Sequence, residues 1–360
     1  MKKRIIFFHL LNDYSGSPHV LSLIIKGLVE KGYLIDLYTS KHKGFLSDID
    51  GVKYYEVYYD FLKNKIVTFI LYLFAQFRYF IAIFKYIGKK DTIVYINTIL
   101  PFGAMLGAFL IRKKAIYHIH EFPVNRNPVN NMALYVFRKF ADKTIFVSNY
   151  LNDCFNVEVQ KRSIIYNALS PSFVEKARKN RIQFTKPYNI LMVCSLRIFK
   201  GVLVFVELAK LLPNFKFTLV LNSSNIEIKK YFKDINLSEN IEIFPTQTNL
   251  DPFYSKANLL VNLSLPNLCV ETFGLTALEA MVYGTPVIVP PVGGIAEIVD
   301  EGIQGFQVDA RDTDRLLETI KHIFSDEKAY YKLSTNAILK TNNFSFEKMV
   351  DKVEKVINEI

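Results

Sequence analysis

Short runs of Ile, Val, Leu, Phe and Tyr alternate along the whole chain with longer stretches in which apolar residues return every third or fourth position. A brief run of β-branched and aromatic residues reads as a strand, and the longer period reads as an amphipathic helix. In the first half the runs predict strands at 4–9, 34–39, 53–57, 92–97, 115–120, 143–147 and 163–166. In the second half they predict strands at 189–195, 216–221, 241–244, 258–263, 286–289 and 305–308. Alternating strand and helix build an open parallel sheet covered on both faces, so the pattern predicts an α/β chain of Rossmann-like units. Between 169 and 187 the periodicity fails, and Ser170-Pro171, a basic run and Thr185-Lys186-Pro187 read as a linker. The chain therefore divides into a first domain over 1–175, a second over 186–340, and a closing helix within 341–360.

One helical stretch stands apart. Over 62–87, Leu62, Ile66, Phe69, Ile70, Leu73, Phe77, Phe80, Ile81, Phe84 and Ile87 share a face, with Lys65, Thr68, Gln76, Arg78 and Lys85 off it. Its longest uncharged run, 66–77, is short of the roughly 20 residues that a transmembrane helix needs, so it reads as non-spanning. The first reading is a crossover helix that buries this aromatic face on the sheet. The second rests part of it on a membrane, because Tyr72, Tyr79 and Tyr86 accompany basic residues and Lys63, Lys65, Lys89 and Lys90 bracket it. A helix at 101–110, with Arg112-Lys113-Lys114 behind it, would extend the same surface.

A length of 360 residues suits two domains, and 50% hydrophobic with 22% charged residues excludes a disordered chain. The net charge of +11 implies an anionic partner: a membrane surface, nucleic acid or a phosphorylated ligand. Basic residues come in twos and threes and tryptophan is absent, which sets nucleic acid aside. Cys154, Cys194 and Cys269 are odd in number and far apart, without zinc-site spacing, and suit a reducing cytoplasm. Met1-Lys2-Lys3-Arg4 before an apolar run has the charge order of a signal peptide. The run is short, contains His9 and ends in Asn12-Asp13 without a cleavage site, so it reads as a buried first strand.

The chemistry is densest between Glu271 and Glu279. Leu275, Leu278 and Met281 take up helical spacing after Gly274, which places Gly274 at a helix start. Glu271 then lies in the loop before the helix and Glu279 about 7 Å further along its axis. Free amides and the helix dipole favour an anion between the two carboxylates, so a phosphate with hydroxyl-bearing groups on either side fits, as in a nucleotide sugar. Arg197 and Lys200 close a second strand end ahead of another helix, where a guanidinium fork and an ammonium would hold a diphosphate. Gly16, in the turn after the first strand, permits a tight bend, with Ser17 and Pro18 as N-cap and first helical residue. His118 and His120 fall on one side of a strand but lack a third ligand, so no metal is expected. The triplet 48–50 precedes a strand and 312–314 caps a helix, which removes both as metal motifs.

The run from Glu271 to Gly284-Thr285-Pro286-Val287 resembles the signature of the retaining family 4 glycosyltransferases of GT-B fold, with paired glutamates, Phe273-Gly274 between them, and Glu279-Ala280-Met281 following. Gly293-Gly294 with Glu297 is similar to the family's next turn, and Arg197 to Gly201 to its basic loop, with two residues between Arg197 and Lys200 where many members have four. The resemblance implies two Rossmann-like domains facing each other across a cleft, the first on the acceptor side, with the last helix packing back on the first domain. It implies a metal-independent, hexosyltransferase-type enzyme without cofactor, moving a sugar from a UDP- or GDP-linked donor to an acceptor hydroxyl. Arg197 and Lys200 would offset charge on the leaving diphosphate, and Glu279 would hold the ribose. Glu271 would contact the sugar, assisted by Phe273, Gly274 and Leu275, with His120 opposite and Gly16 near the phosphates. Glu121 is a candidate acceptor-side or structural partner, and Ser148 and Asn167 take structural roles. The basic charge and the aromatic helix point to a lipid-linked saccharide acceptor in bacterial surface-polysaccharide assembly, on the inner face of the cell membrane. The alternatives are a nucleotide-sugar epimerase of the same architecture and a non-catalytic membrane-associated subunit.

Overall fold

The computed structural model describes all residues except 1, 2, 61, 123–127, 156 and 181. The chain forms two compact units, the first made of Met1–Ala168 with Phe346–Ile360, the second of Leu169–Ser345.

In the first unit the order is β1 (Arg4–Phe8), α1 (Gly16–Glu30), β2 (Leu34–Thr39), β3 (Val52–Glu56), α2 (Lys65–Phe84), β4 (Thr92–Asn97), α3 (Phe102–Leu110), β5 (Ala115–Ile119), α4 (Pro128–Phe140), β6 (Lys143–Phe146), α5 (Asn149–Cys154) and β7 (Arg162–Ile164). These strands make one parallel sheet in the order β3-β2-β1-β4-β5-β6-β7. Ile5, Ile6, Phe7 and Phe8 of central β1 are wholly buried, as a strand covered by helices on both faces requires. The edge strand β3 carries Lys53 and Glu56, exposed charges that discourage pairing with another chain.

The second unit runs α6 (Pro171–Lys179), β8 (Asn189–Ser195), α7 (Val202–Leu211), β9 (Lys216–Asn222), α8 (Asn225–Phe232), β10 (Ile241–Phe244), α9 (Asp251–Tyr254), β11 (Leu259–Val261), α10 (Leu275–Val282), β12 (Val287–Val289), β13 (Gly305–Gln307), α11 (Thr313–Ile323) and α12 (Glu327–Thr341). Its parallel sheet has the order β10-β9-β8-β11-β12-β13. Every strand that the pattern predicts is present, with ends moved by no more than about two residues, a usual disagreement at element ends. The last helix, α13 (Phe346–Asn358), returns to the first unit and packs on α1, where a Cβ on Gly27 would lie 2.5 Å from Val350. Lys31 binds Asp351 at 2.7 Å and Glu354 at 2.5 Å, and Lys143 binds Glu359 at 2.9 Å.

Three expectations change. The segment read as linker contains α6, capped by Ser170 and opened by Pro171, and it counts with the second unit. Helix α1 starts earlier than Ser17-Pro18: Ser15 is its N-cap, and Gly16, without a positive φ, is its first residue. In α2 the inward and outward faces are exchanged. Tyr72, Ala75, Gln76, Tyr79 and Ile83 are buried, while Ile66, Phe69, Ile70, Leu73, Phe77 and Ile81 are exposed. Hydroxyls decide this orientation. Tyr72 donates to the carbonyl of Leu100 at 2.8 Å, Tyr79 to that of His9 at 3.2 Å, and Tyr86 to Asp36 at 2.6 Å. Gly103 of α3 lets the backbones approach, since a Cβ there would lie 2.1 Å from the Gln76 carbonyl.

Candidate active site

In an open parallel sheet a crevice forms beyond the carboxyl ends of the strands, where the strand order reverses. The reversal falls between β1 and β4 in the first sheet and between β8 and β11 in the second. A polar cluster occupies each.

In the second unit the chain leaves β8 through Arg197 and a single 3₁₀ turn, Ile198–Lys200, into Gly201. Gly201 has φ 72°, and a Cβ on it would stand 2.1 Å from the carbonyl oxygen of Leu263. Only glycine permits this conformation with so close an approach. The backbone of Leu265 then donates to Phe199 at 2.8 Å, so the loops after β8 and β11 are stitched together. That stitching sets Lys200 Nζ 2.5 Å from Glu271 Oε2, with Ser264 Oγ 3.4 Å from the same oxygen. Burial favours the neutral amine, but the Glu271 carboxylate outweighs it and the Lys200 pKa is raised. The Cys194 thiol near this pair is pushed up to about 12 by burial.

Gly274, at φ 90°, is the N-cap of α10, and a Cβ there would meet Ile295 at 2.4 Å. As a glycine, Gly274 offers no side chain to cap this helix, whose first turn stands at the edge of the crevice. Leu275 is its half-buried first residue, and Phe273 is buried with its ring 6.0 Å from that of Phe344. Glu279, one turn further, is buried and accepts from the Tyr254 hydroxyl at 2.5 Å. Burial lifts its pKa to about 7, although the tyrosine bond works against the rise.

Arg197 is exposed, and among the described residues its side chain makes no ion pair. Its charge reaches Glu227, whose carboxyl lies below its usual range mainly through bonds from Ser223 and Ser224. The structure thus joins Lys200 to Glu271 directly and leaves Arg197 exposed on the loop between β8 and α7.

In the first unit, His9 follows β1, Asn97 ends β4 and His120 follows β5. Asn97 Nδ2 lies 3.0 Å from His9 Nδ1 and 3.4 Å from the Ser17 carbonyl. A carbonyl only accepts, so the amide group faces Ser17 and Asn97 Oδ1 faces His120 Nε2 at 2.9 Å. His120 therefore carries its proton on Nε2, and His9 offers Nδ1 as an acceptor. Burial lowers the pKa of His9 to about 4 and of His118 to about 3, and holds His120 well below the usual range, so the three rings are neutral near pH 7. His118 and His120 lie on one side, rings 4.1 Å apart. The bond to Ser17 also brings the Gly16 turn to this edge. Glu121 is exposed. Ser148 caps α5 through the amide of Leu151 at 3.1 Å, and Asn167 is buried. Asp312 caps α11 through the amide of Arg315. Among the described residues no three His, Cys, Asp or Glu side chains gather as a metal site would need.

Sequence reasoning missed Asn97, His9, Ser264 and Tyr254. The first two carried a signal, a polar residue closing an apolar strand on either side of the strand-order reversal. Tyr254 had none.

Residues 173–340 match the family described as Glycosyl transferases group 1. The matched residues span nearly all of the second unit. The chain is similar to D-inositol 3-phosphate glycosyltransferase of Paenarthrobacter aurescens, 24% identical over 58% of this chain and 53% of that protein, so it matches about half the relative's length. It is 27% identical to an uncharacterised glycosyltransferase of Methanocaldococcus jannaschii, over 83% of this chain and 86% of that one. In structure it is similar to Anabaena Alr3699/HepE, solved in complex with UDP and glucose, with TM-score 0.79, 18% identity, and coverage of 99% and 100%. The chain shares the GT-B fold of that structure.

Proposed function

We propose that the chain is a retaining glycosyltransferase of family 4 that moves a hexose from a nucleotide-diphosphate donor to an acceptor hydroxyl. The observation that carries this is the Lys200–Glu271 pair at the strand-order reversal of the second sheet, beside the start of α10 at Gly274. A diphosphate arriving there competes with Glu271 for the ammonium. Once Lys200 turns to phosphate, Glu271 is released to accept from sugar hydroxyls, and the amides of Phe273, Gly274 and Leu275 complete the cradle. Arg197 shares the developing charge, and Glu279 receives the ribose hydroxyls.

With retention, the bond from the anomeric carbon to the leaving phosphate oxygen breaks as the acceptor oxygen attacks from the same face, and the acceptor proton passes to that phosphate oxygen. Lys200 and Arg197 stabilise the departing charge as two cations at the strand ends, in the place a metal would otherwise take. The donor is UDP-linked or GDP-linked; the structural relative's UDP and glucose support UDP and a hexose. The acceptor is a lipid-linked saccharide of surface-polysaccharide assembly, met at the cytoplasmic face of the membrane.

The test is a thermal-shift panel of nucleotide diphosphates and their sugars, followed by transfer assays. Stabilisation by UDP or GDP, and release of the diphosphate only when acceptor is present, is the expected result. Conversion of a nucleotide sugar without acceptor would make the chain an epimerase, and no binding of any nucleotide would sink the reading.

A further inference from the structure

The outward face of α2 is apolar along its whole length. Ile66, Ile70, Leu73, Phe77 and Ile81 repeat at intervals of three and four, with Ile66 71% and Phe77 59% exposed. On the opposite face Tyr72, Gln76 and Tyr79 are tied into the first unit by hydrogen bonds, so the helix lies on that unit although its length and composition would allow it to cross a bilayer. The surface continues onto α3 and α4, where Phe109 and Leu110 are exposed and Phe109 packs on Phe140 at 4.4 Å. An apolar face of this extent on a soluble domain calls for an occupant.

Charge identifies it. Between 61 and 120 the chain carries nine Lys and Arg and one acidic residue, Asp91. Lys63, Lys65, Arg78, Lys85, Lys89 and Lys90 surround the face and are exposed. A second copy would bring this positive rim against another positive rim, whereas an anionic bilayer offers hydrocarbon for the stripe and headgroups for the lysines. We propose that the outer face of α2, with Phe109 and Leu110, docks in the plane of an anionic lipid surface. Tyr72 and Tyr79 reach the carbonyls of Leu100 and His9, so the middle of the helix lies beside the sheet edge that holds Asn97 and His120. Docking therefore presents that edge to a headgroup in the same membrane. The inference rests in this respect on the reading of the chain as a glycosyltransferase of a lipid-linked acceptor and names the face by which it would meet that acceptor's membrane.

The chain has no tryptophan, so one introduced residue reports alone. The full-length Phe77→Trp variant is mixed with phosphatidylcholine vesicles, with or without a third of phosphatidylglycerol, and with brominated lipids. Its emission should shift to the blue and be quenched by the bromines on anionic vesicles, weakly on neutral ones, and not in 0.5 M salt. Ile226→Trp on α8, 81% exposed in the other unit, should show neither effect. The triple variant Ile70→Glu, Phe77→Glu, Ile81→Glu should lose at least tenfold in vesicle flotation while keeping the parent's melting curve. Unchanged flotation of the folded triple variant would overturn the proposal, as would no flotation of the parent. A dimer in light scattering that the triple variant dissolves would instead assign the face to a second copy. None of these readouts needs a sugar donor, so loss of vesicle binding and loss of transfer are separable failures.

Discussion

Asn97 Oδ1 lies 2.9 Å from His120 Nε2, and the same amide donates across the strand-order reversal toward His9. One side chain thereby sets the tautomers of two buried histidines. Nitrogen-15 spectra should show His120 protonated on Nε2 with Nδ1 bare, and His9 with an unprotonated Nδ1. Asn97→Asp puts an acceptor opposite both rings, so His9 must present a proton at Nδ1 and the His120 titration should move up toward neutral pH. A wild-type His120 protonated on Nδ1 would refute the relay.

Lys200 and Glu271 form a half-hidden pair, their side chains 18% and 20% exposed. Removing either partner strands the other charge, so Lys200→Ala and Glu271→Ala should each destabilise by roughly 1–3 kcal/mol, less than for a fully buried pair. The double variant should be more stable than the sum of the two losses, which a double-mutant cycle by urea unfolding will read. In transfer assays Lys200→Ala should lower kcat by roughly 10²-fold or more, as loss of a preorganised group beside developing charge does. Arg197→Ala should act on kcat more than on KM. An Arg197→Ala protein with wild-type turnover would remove Arg197 from the site.

Glu279 gives a pH signature. Its carboxyl is raised from 4.5 to about 7 by burial, so between these values the folded state binds the proton that the unfolded state releases. Its stabilising effect is therefore complete at low pH and is lost as pH rises through about 7, over a range on the order of 3 kcal/mol. Glu279→Gln should close the gap: equal melting temperature near pH 4.5, and a higher one than wild type at pH 8. If Glu279 holds the ribose as a carboxylate, nucleotide diphosphate should bind wild type more tightly above pH 7 than at pH 6, and the glutamine variant should lose that dependence.

Gly201 and Gly302 share φ 72°, but a Cβ on Gly201 meets a backbone oxygen and one on Gly302 meets nothing within 4 Å. Gly302→Ala should cost about 1 kcal/mol from the left-handed backbone alone. Gly201→Ala adds the collision with Leu263 and should cost about 3 kcal/mol or more. Equal melting temperatures for the two variants would mean that the Leu263 contact is soft.

The two sheets were legible because β-branched runs separated by helical periods leave few other arrangements, and the glycine-marked start of α10 was legible because Gly274 stands where no other residue fits. The α2 orientation was not legible. Both of its faces are apolar, so periodicity finds two stripes and cannot choose between them. What chooses is the tyrosine hydroxyl, which reaches a carbonyl through a hydrophobic body, and that partner lies on another element. The same reason hid Tyr254 behind Glu279. The Lys200–Glu271 contact spans 71 positions of sequence and depends on Gly201 closing onto Leu263, a relation visible only in three dimensions.

Helix α13 makes the first unit a fold of two segments separated by the entire second unit. A ribosome therefore exports Met1–Ala168 long before the helix that covers Gly27 exists. Until then the α1 surface must wait uncovered while the second unit is made and can fold, so the part translated first is the part completed last. A polypeptide ending at Ala168 would for the same reason be an unfinished domain, and supplying Phe346–Ile360 as a separate peptide should restore what the cut removed.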